Sequence, residues 1–270
     1  MSAETTVTSE QWAAFHKRWP RIKPPQRPTG SVADAIAGAI AAQDARVLLL
    51  GVTPQLAALG RDLTAIDKNP SMIAMAWPGD SANRRALCAD WRAMALAPGS
   101  FTSVIGDGSF NCLEYPSGYQ AVFARLMAGL CRGARLAVRF FVTPDHCETL
   151  AALQAATLAG KVESIYALKW RIAMADCAAR GDPHSMPANI LAIFEDLFAG
   201  REALAGATGW PIEDIATMDD YRGAKDLLSF PTEAQIRAVM PSQFRDARLL
   251  PSGSYDLAGR CPILVADLPP

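Results

Sequence analysis

The sequence predicts an α/β fold: a mostly parallel sheet with helices on both faces. Three observations carry this expectation. Short apolar runs alternate along the chain with stretches whose apolar residues recur every three or four positions, as they do when a helix joins each parallel strand to the next. The runs are apolar throughout instead of alternating with polar residues, so both faces of the sheet are covered. Turn and cap residues such as Gly51, Asn69-Pro70 and Gly106 stand at the junctions. At about 150 residues per domain, 270 residues make one or two domains and bury a sizeable core.

Each element follows in order. Residues 1–30 combine Trp12, His16 and Trp19 with several cations and with Pro20, Pro24, Pro25 and Pro28, a composition suited to an arm or lid lying over the domain. Ser31-Val-Ala-Asp34 has the form of a capping box, and Val32, Ile36 and Ile40 place a helix over about 32–42. Arg46 to Gly51 is a buried strand, after which Pro54 opens a helix reaching to about Leu59 and stopped by Gly60. Leu63 to Ile66 is a second strand ending at Asp67, and Asn69-Pro70 caps a helix carrying Met72, Ile73 and Met75. Arg85 to Cys88, Phe101 to Ile105 and Ala134 to Val142 add three strands, with a helix near 117–131. Thr143-Pro144 opens another helix, closed at Gly160.

Beyond Gly160 the strand signal vanishes. Helical spacing near 162–179 and 188–199 and an acid-rich segment from Trp210 to Tyr221 predict a helical insertion at 161–229. Thr232-Glu-Ala-Gln235 is a capping box, and Phe244 to Leu250 with Pro262 to Asp267 form a C-terminal antiparallel hairpin through Pro251 to Ser254. The sheet therefore has seven strands, its core lies in 31–160 and 230–270, and the insertion after the fifth strand is expected to cap a substrate.

Composition narrows the partners. Lys and Arg number 26 against 27 Asp and Glu, and a net charge of −1 offers no broad field for nucleic acid. No window approaches the roughly 18 apolar residues of a membrane span, and Met1 to Glu10 lacks the pattern of a secretory signal, so a cytoplasmic protein is expected. The six cysteines show no CxxC spacing and no nearby His pair, which predicts reduced, mostly buried thiols and no metal site.

In such a sheet, ligands bind beyond the carboxyl ends of the strands. Gly51 ends the first strand; Asp67 ends the second, where a carboxylate can accept both hydroxyls of a ribose; Asp90 follows the third, and Asp107 ends the fourth. Their order matches the length of an adenosyl amino acid. Val47 to Gly51, Ala65-Ile-Asp67-Lys-Asn-Pro-Ser-Met72, Cys88-Ala-Asp90-Trp91 and Ile105-Gly-Asp107-Gly-Ser109 resemble the class I, Rossmann-like S-adenosylmethionine-dependent methyltransferases. The resemblance covers about residues 31–160 and the C-terminal hairpin. It implies that Gly51 and Thr53 sit by the methionine portion, that Asp67 binds the ribose, and that Lys68 and Met72 flank the adenine. Asp90 and the Trp91 backbone would read the adenine edge, and Asp107 with Gly108 would hold the amino-acid end. The family's glycine-rich loop is here Gly51-Val-Thr-Pro-Gln-Leu, keeping only its first glycine; a sulfonium cofactor has no pyrophosphate to bring against the backbone.

Each residue also has a structural reading, Asp67 as a helix-capping acid and Asp107 as a turn. His16, His146 and His184 are isolated, and no GxSxG frame surrounds Ser109, so no catalytic residue is assigned. Asn111, Trp170, Tyr221 and Arg222 are the candidates for contact with a small-molecule methyl acceptor. Two other functions remain open: an NAD(P)-dependent oxidoreductase, which also places an acid after its second strand but needs GxGxxG, and a catalytically silent adenosyl-ligand-binding or regulatory protein. Whether the chain forms a homodimer is left open as well.

Overall fold

The computed structural model describes residues 19, 22–40 and 45–270. Its strands are β1 (Arg46–Leu50), β2 (Asp62–Asp67), β3 (Arg84–Cys88), β4 (Phe101–Asp107), β5 (Leu130–Arg139), β6 (His184–Ser185), β7 (Leu228–Ser229), β8 (Arg245–Leu250) and β9 (Ile263–Asp267). Seven of them make one sheet in the order β3-β2-β1-β4-β5-β9-β8. The first five are parallel, and β9 runs antiparallel between β5 and β8. The chain builds outward from β1 to β3 and then returns to lay β4 on the other side of β1, which leaves a crevice at the carboxyl ends of β1 and β4.

Alternate residues of β1 explain the layering, because side chains along a strand point to opposite faces. Val47 and Leu49 pack with Val32, Ile36 and Ile40 of α1 (Gly30–Ile40). Leu48 and Leu50 pack with a cluster that contains Val122, Phe123 and Leu126. Those three lie on the helix Ser117–Gly129. The edge strand β3 has no buried residue and carries Arg84 and Arg85, charges that discourage pairing with another chain.

Several local expectations are corrected. Thr29, not Ser31, caps α1, with the amide of Val32 donating to its Oγ1 at 3.4 Å. The helix expected from Pro54 to Leu59 is a single 3-10 turn, Pro54–Leu56. The link from Gly51 to Asp62 is too short for more, since Arg61 already returns its amide to the carbonyl of Ala45. Asn69 caps α2 (Pro70–Ala76) as expected, taking the amides of Ser71 and Met72. After α3, the helix Ser117–Gly129, the helix predicted from Thr143 begins instead at Leu150. Thr149 caps this α4 (Leu150–Leu158), while the Thr143 hydroxyl donates to the Phe230 carbonyl at 2.7 Å. A residue before proline is disfavoured in the helical region, which keeps Thr143 extended.

The insertion holds α5 (Ile165–Arg180), α6 (Pro187–Leu197), α7 (Arg201–Thr208) and α8 (Ile212–Ile215). It is not wholly helical, because β6, between α5 and α6, pairs antiparallel with β7 at its C-terminal end. Ile165, Leu168, Ile172, Ile190 and Phe194 form a core continuous with Phe141 at the end of β5 and Leu153 on α4. The capping box opening α9 (Glu233–Val239) is present in both directions. Only Cys177 and Cys261 are buried; Cys88 and Cys112 are exposed and all six thiols are free, so the expectation of mostly buried cysteines is corrected. No helix among the described residues is long and apolar enough to cross a membrane.

Candidate functional site

The crevice beyond β1, β2 and β4 opens into a cleft of about 440 Å³. Of the residues singled out in the sequence, Gly51, Thr53, Asp67, Lys68, Met72, Asp90, Trp91, Asp107, Gly108, Asn111, Trp170 and Tyr221 line it. Arg222 does not. Its side chain is exposed and pairs with Glu195 at 3.1 Å and Asp219 at 3.3 Å, because it leaves the 3-10 turn on the outer side of the insertion.

Gly51 sits at φ 101°, a backbone that side chains rarely adopt, and its amide closes on the carbonyl of Ile66 at 2.8 Å. A Cβ here would lie 3.9 Å from the Trp91 ring and 4.0 Å from Asp67 Oδ2, so conformation and not crowding requires glycine. Trp91 is tied to the same point, its Nε1 donating to the Ile66 carbonyl at 2.5 Å. The carboxylate of Asp67 is 8% exposed. Its Oδ1 accepts the amide of Asn69 at 2.9 Å, whereas Oδ2 takes no hydrogen bond among the described residues. Burial raises its pKa, with the Asn69 amide and Lys68 acting in the opposite direction. An accessible oxygen free to accept, on a largely buried aspartate, suits a pair of hydroxyl donors.

The other two acids differ from expectation. Both oxygens of Asp90 take N–H groups of Arg92, whose hydrogen bonds hold the carboxyl below the ordinary aspartate range. Asp107 is paired with Arg139 in a contact almost closed to solvent. Arg139 is fully buried and also donates to Tyr255 Oη at 2.7 Å and to the carbonyl of Pro25 at 2.8 Å. Asp107 therefore is not a free carboxylate for an ammonium group; it already neutralises a guanidinium. Arg139 was missed in the sequence, although one cation inside the apolar run Ala134 to Val142 was the available signal.

Gly108 follows at φ 62°, where a Cβ would approach Phe141 Cε2 to 2.5 Å. Ser109 donates to the carbonyl of Leu50 at 2.6 Å and so ties the turn after β4 to the end of β1. Asn111 is a clamp and not an acceptor-orienting group. Its Nδ2 donates to the carbonyls of Phe141 and Ser229 at 2.8 and 2.7 Å, and its Oδ1 takes the Phe141 amide at 3.0 Å.

The far half of the cleft is aromatic. The ring of Trp170 lies 5.3 Å from Phe141 and 5.3 Å from Phe230, and both phenylalanines border the cleft. Tyr221 accepts Gln26 Nε2 at 2.8 Å; burial pushes its hydroxyl pKa up, so it stays protonated. Gln26 and Trp19, both from the described part of the arm, border the cleft too and were not singled out in the sequence. Lys23 reaches Asp214 of the insertion at 2.8 Å. His184 is held by Asp182 at 2.6 Å and by the carbonyl of Tyr115 at 2.9 Å, and His146 is exposed; His16 lies outside the described residues. Among the described residues no group of three or more His, Cys, Asp and Glu side chains is placed to hold a metal ion.

The sheet order decides what kind of α/β protein this is. A dinucleotide-binding sheet runs 3-2-1-4-5-6, whereas here the last strand is inserted antiparallel beside β5. The fold is a Rossmann-like α/β sheet, mostly parallel with a C-terminal antiparallel pair, and resembles the methyltransferase fold. No family model matches the sequence, and no curated protein matches it either. Solved structures do. A Rhodobacter sphaeroides protein described as a Zn-dependent alcohol dehydrogenase is similar at a TM-score of 0.56 and 11% identity, over 97% of this chain and 98% of its own. The 1,6-didemethyltoxoflavin N1-methyltransferase of Burkholderia thailandensis is similar at 0.49 and 12%, over 100% and 92%. The N-methyltransferase NodS of Bradyrhizobium japonicum gives 0.48 and 11%, over 88% and 94%. At such identities the likeness is one of fold, and the activities named belong to those proteins.

Proposed function

We propose that this chain binds S-adenosylmethionine in the cleft at the β1–β4 crossover and transfers its methyl group to a small-molecule acceptor. The observation that carries the reading is the meeting of Gly51, the buried Asp67 and the Trp91 ring at one point beyond β1 and β2. The residues present fit an adenosyl group. Asp67 Oδ2 has room for ribose hydroxyls, and Lys68 and Met72 border the same wall as Trp91. When bound, the cofactor supplies a sulfonium-activated methyl group.

The chain's own contribution is alignment and exclusion of water. Holding nucleophile, methyl carbon and sulfur in line can lower the barrier by several kcal/mol, up to about 7–11 in favourable systems. Trp170, Phe141 and Phe230 give the acceptor half a low-water lining, and the insertion acts as a substrate cap while residues 19 and 22–30 close the opposite side. No side chain in the cleft is assigned as a general base.

Calorimetry with S-adenosylhomocysteine and with NAD(P) tests this reading. Binding of the adenosyl ligand alone is the expected result, and NAD(P) binding without it would overturn the assignment. Adenosyl binding with no methyl transfer to any acceptor would favour the silent, regulatory reading.

A further inference from the structure

The polar groups of the aromatic half are unevenly used. Tyr221 is 7% exposed and borders the cleft, and its oxygen receives a hydrogen from Gln26 Nε2. A phenol proton lies near the ring plane, so a donor on one side of the oxygen turns the proton to the other. That proton meets no acceptor among the described residues. The indole N–H of Trp170 also has no partner among them, but that nitrogen is itself closed off from solvent, so the Tyr221 proton is the donor offered to the cleft. Buried donors without acceptors are rare and destabilising in folded proteins, and at a cleft wall they mark where a ligand supplies the missing acceptor.

The surroundings limit what that ligand is. Phe141, Trp170 and Phe230 present ring faces and edges, a lining that favours a flat body. Among the described residues the Lys and Arg side chains bordering the cleft are Lys68 and Arg92, which belong to the adenine side, and no described His borders it. Lys169 Nζ lies 4.7 Å from the Tyr221 ring and the Arg139 guanidinium 5.2 Å from that of Phe141, but neither is on the lining, so the described part of the aromatic half presents no cation directly to a buried phosphate or carboxylate.

We propose that the aromatic half is the acceptor subsite, that Tyr221 is its specificity-determining donor with Gln26 as its positioning residue, and that the methyl acceptor is a flat ring without negative charge that bears a carbonyl or equivalent lone-pair oxygen. The inference rests on the methyl-transfer reading of the cleft.

The test compares two neutral bicycles of like shape, 2-quinolone with its ring carbonyl and naphthalene without one, together with the anion 2-naphthoate. Binding is followed by intrinsic tryptophan fluorescence in the wild-type chain and in Tyr221→Phe and Gln26→Leu. In the wild type, 2-quinolone should bind about tenfold more tightly than naphthalene, the yield of one hydrogen bond in a dry site, and 2-naphthoate should bind most weakly. In Tyr221→Phe the preference for the carbonyl compound should disappear, with naphthalene affinity unchanged; Gln26→Leu should reduce it in part. Melting temperatures of the variants separate this loss of discrimination from a loss of fold.

Equal affinity for the two bicycles, an intact preference in Tyr221→Phe, tightest binding of 2-naphthoate, or no binding of any probe overturns the proposal. S-adenosylhomocysteine is titrated calorimetrically into the same samples. If it fails to bind while the carbonyl preference behaves as expected, the acceptor subsite stands as a ring-binding site and the methyl-transfer reading falls.

Discussion

Asp67→Asn separates what this carboxylate does for the fold from what it does for a ligand. In the folded chain it is buried with one amide partner, and burial is the largest influence on its pKa. Its charge therefore opposes folding. Asparagine keeps an oxygen for the Asn69 amide and removes the charge, so the melting temperature should stay level or rise by about 2–4 °C, the equivalent of roughly 1 kcal/mol at this size. Ligand affinity should move the other way. Two ribose hydroxyls on a carboxylate are worth about 1.5–3 kcal/mol each, against 0.5–1.5 on a neutral amide, so S-adenosylhomocysteine should weaken by about 2–3 kcal/mol, or roughly 30- to 150-fold.

The pH dependence has a definite sign. The folded aspartate protonates above the ordinary 3.8, so the folding penalty of its charge is relieved as pH falls into the window between its raised pKa and 3.8. Ribose donors favour the ionised form, so wild-type affinity is lost as pH falls through that raised value, and Asp67→Asn should lack this loss. Calorimetric titration from neutral to mildly acid pH reads both effects. A variant within about twofold of wild type, or with the wild-type pH profile, would refute the ribose assignment, since either result means that the charge does not meet the ligand.

Three further outcomes follow from the same geometry. Gly108→Ala should lose about 2–3 kcal/mol of stability by denaturant titration, because alanine there adds backbone strain to a collision with Phe141. Arg139→Met should cost about 3–5 kcal/mol by leaving Asp107 buried without its counter-charge, and adding Asp107→Asn should recover part of that loss in a double-mutant cycle. Arg222→Ala should leave both melting temperature and S-adenosylhomocysteine affinity unchanged, since its exposed ion pairs lie outside the cleft.

What was legible in the sequence depended on distance along the chain. Asp67 and Asn69 sit where local signals put them, because a strand end followed by Asn-Pro fixes both positions within a few residues. The capping box at Thr232 was readable for the same reason. Asn111 was not, since its partner Ser229 is 118 residues away and nothing near Asn111 foretells that it will be fully bonded. The Gln26–Tyr221 contact spans 195 residues. Local helix signals also misled where a tertiary bond overrode them, as when Thr143 gave its hydroxyl to Phe230 and ceded the cap to Thr149.

Arg139 shows why a charged residue stands in an otherwise apolar strand. Residues 23–26 are tied to the walls of the cleft by polar contacts that include Lys23 with Asp214, Gln26 with Tyr221, and the Pro25 carbonyl with Arg139. The Lys23 side chain is 54% exposed, and an ion pair so wetted contributes little. The Arg139 contact is dry and charge-assisted, which makes it stronger than the Lys23 pair. The same guanidinium neutralises Asp107 at the end of β4 and donates to the Tyr255 hydroxyl oxygen in the loop before β9. One buried cation thus fixes the floor of the cleft and its roof together. Replacing it with an apolar side chain loosens both at once, whereas loss of Lys23 frees only the outer edge of the arm.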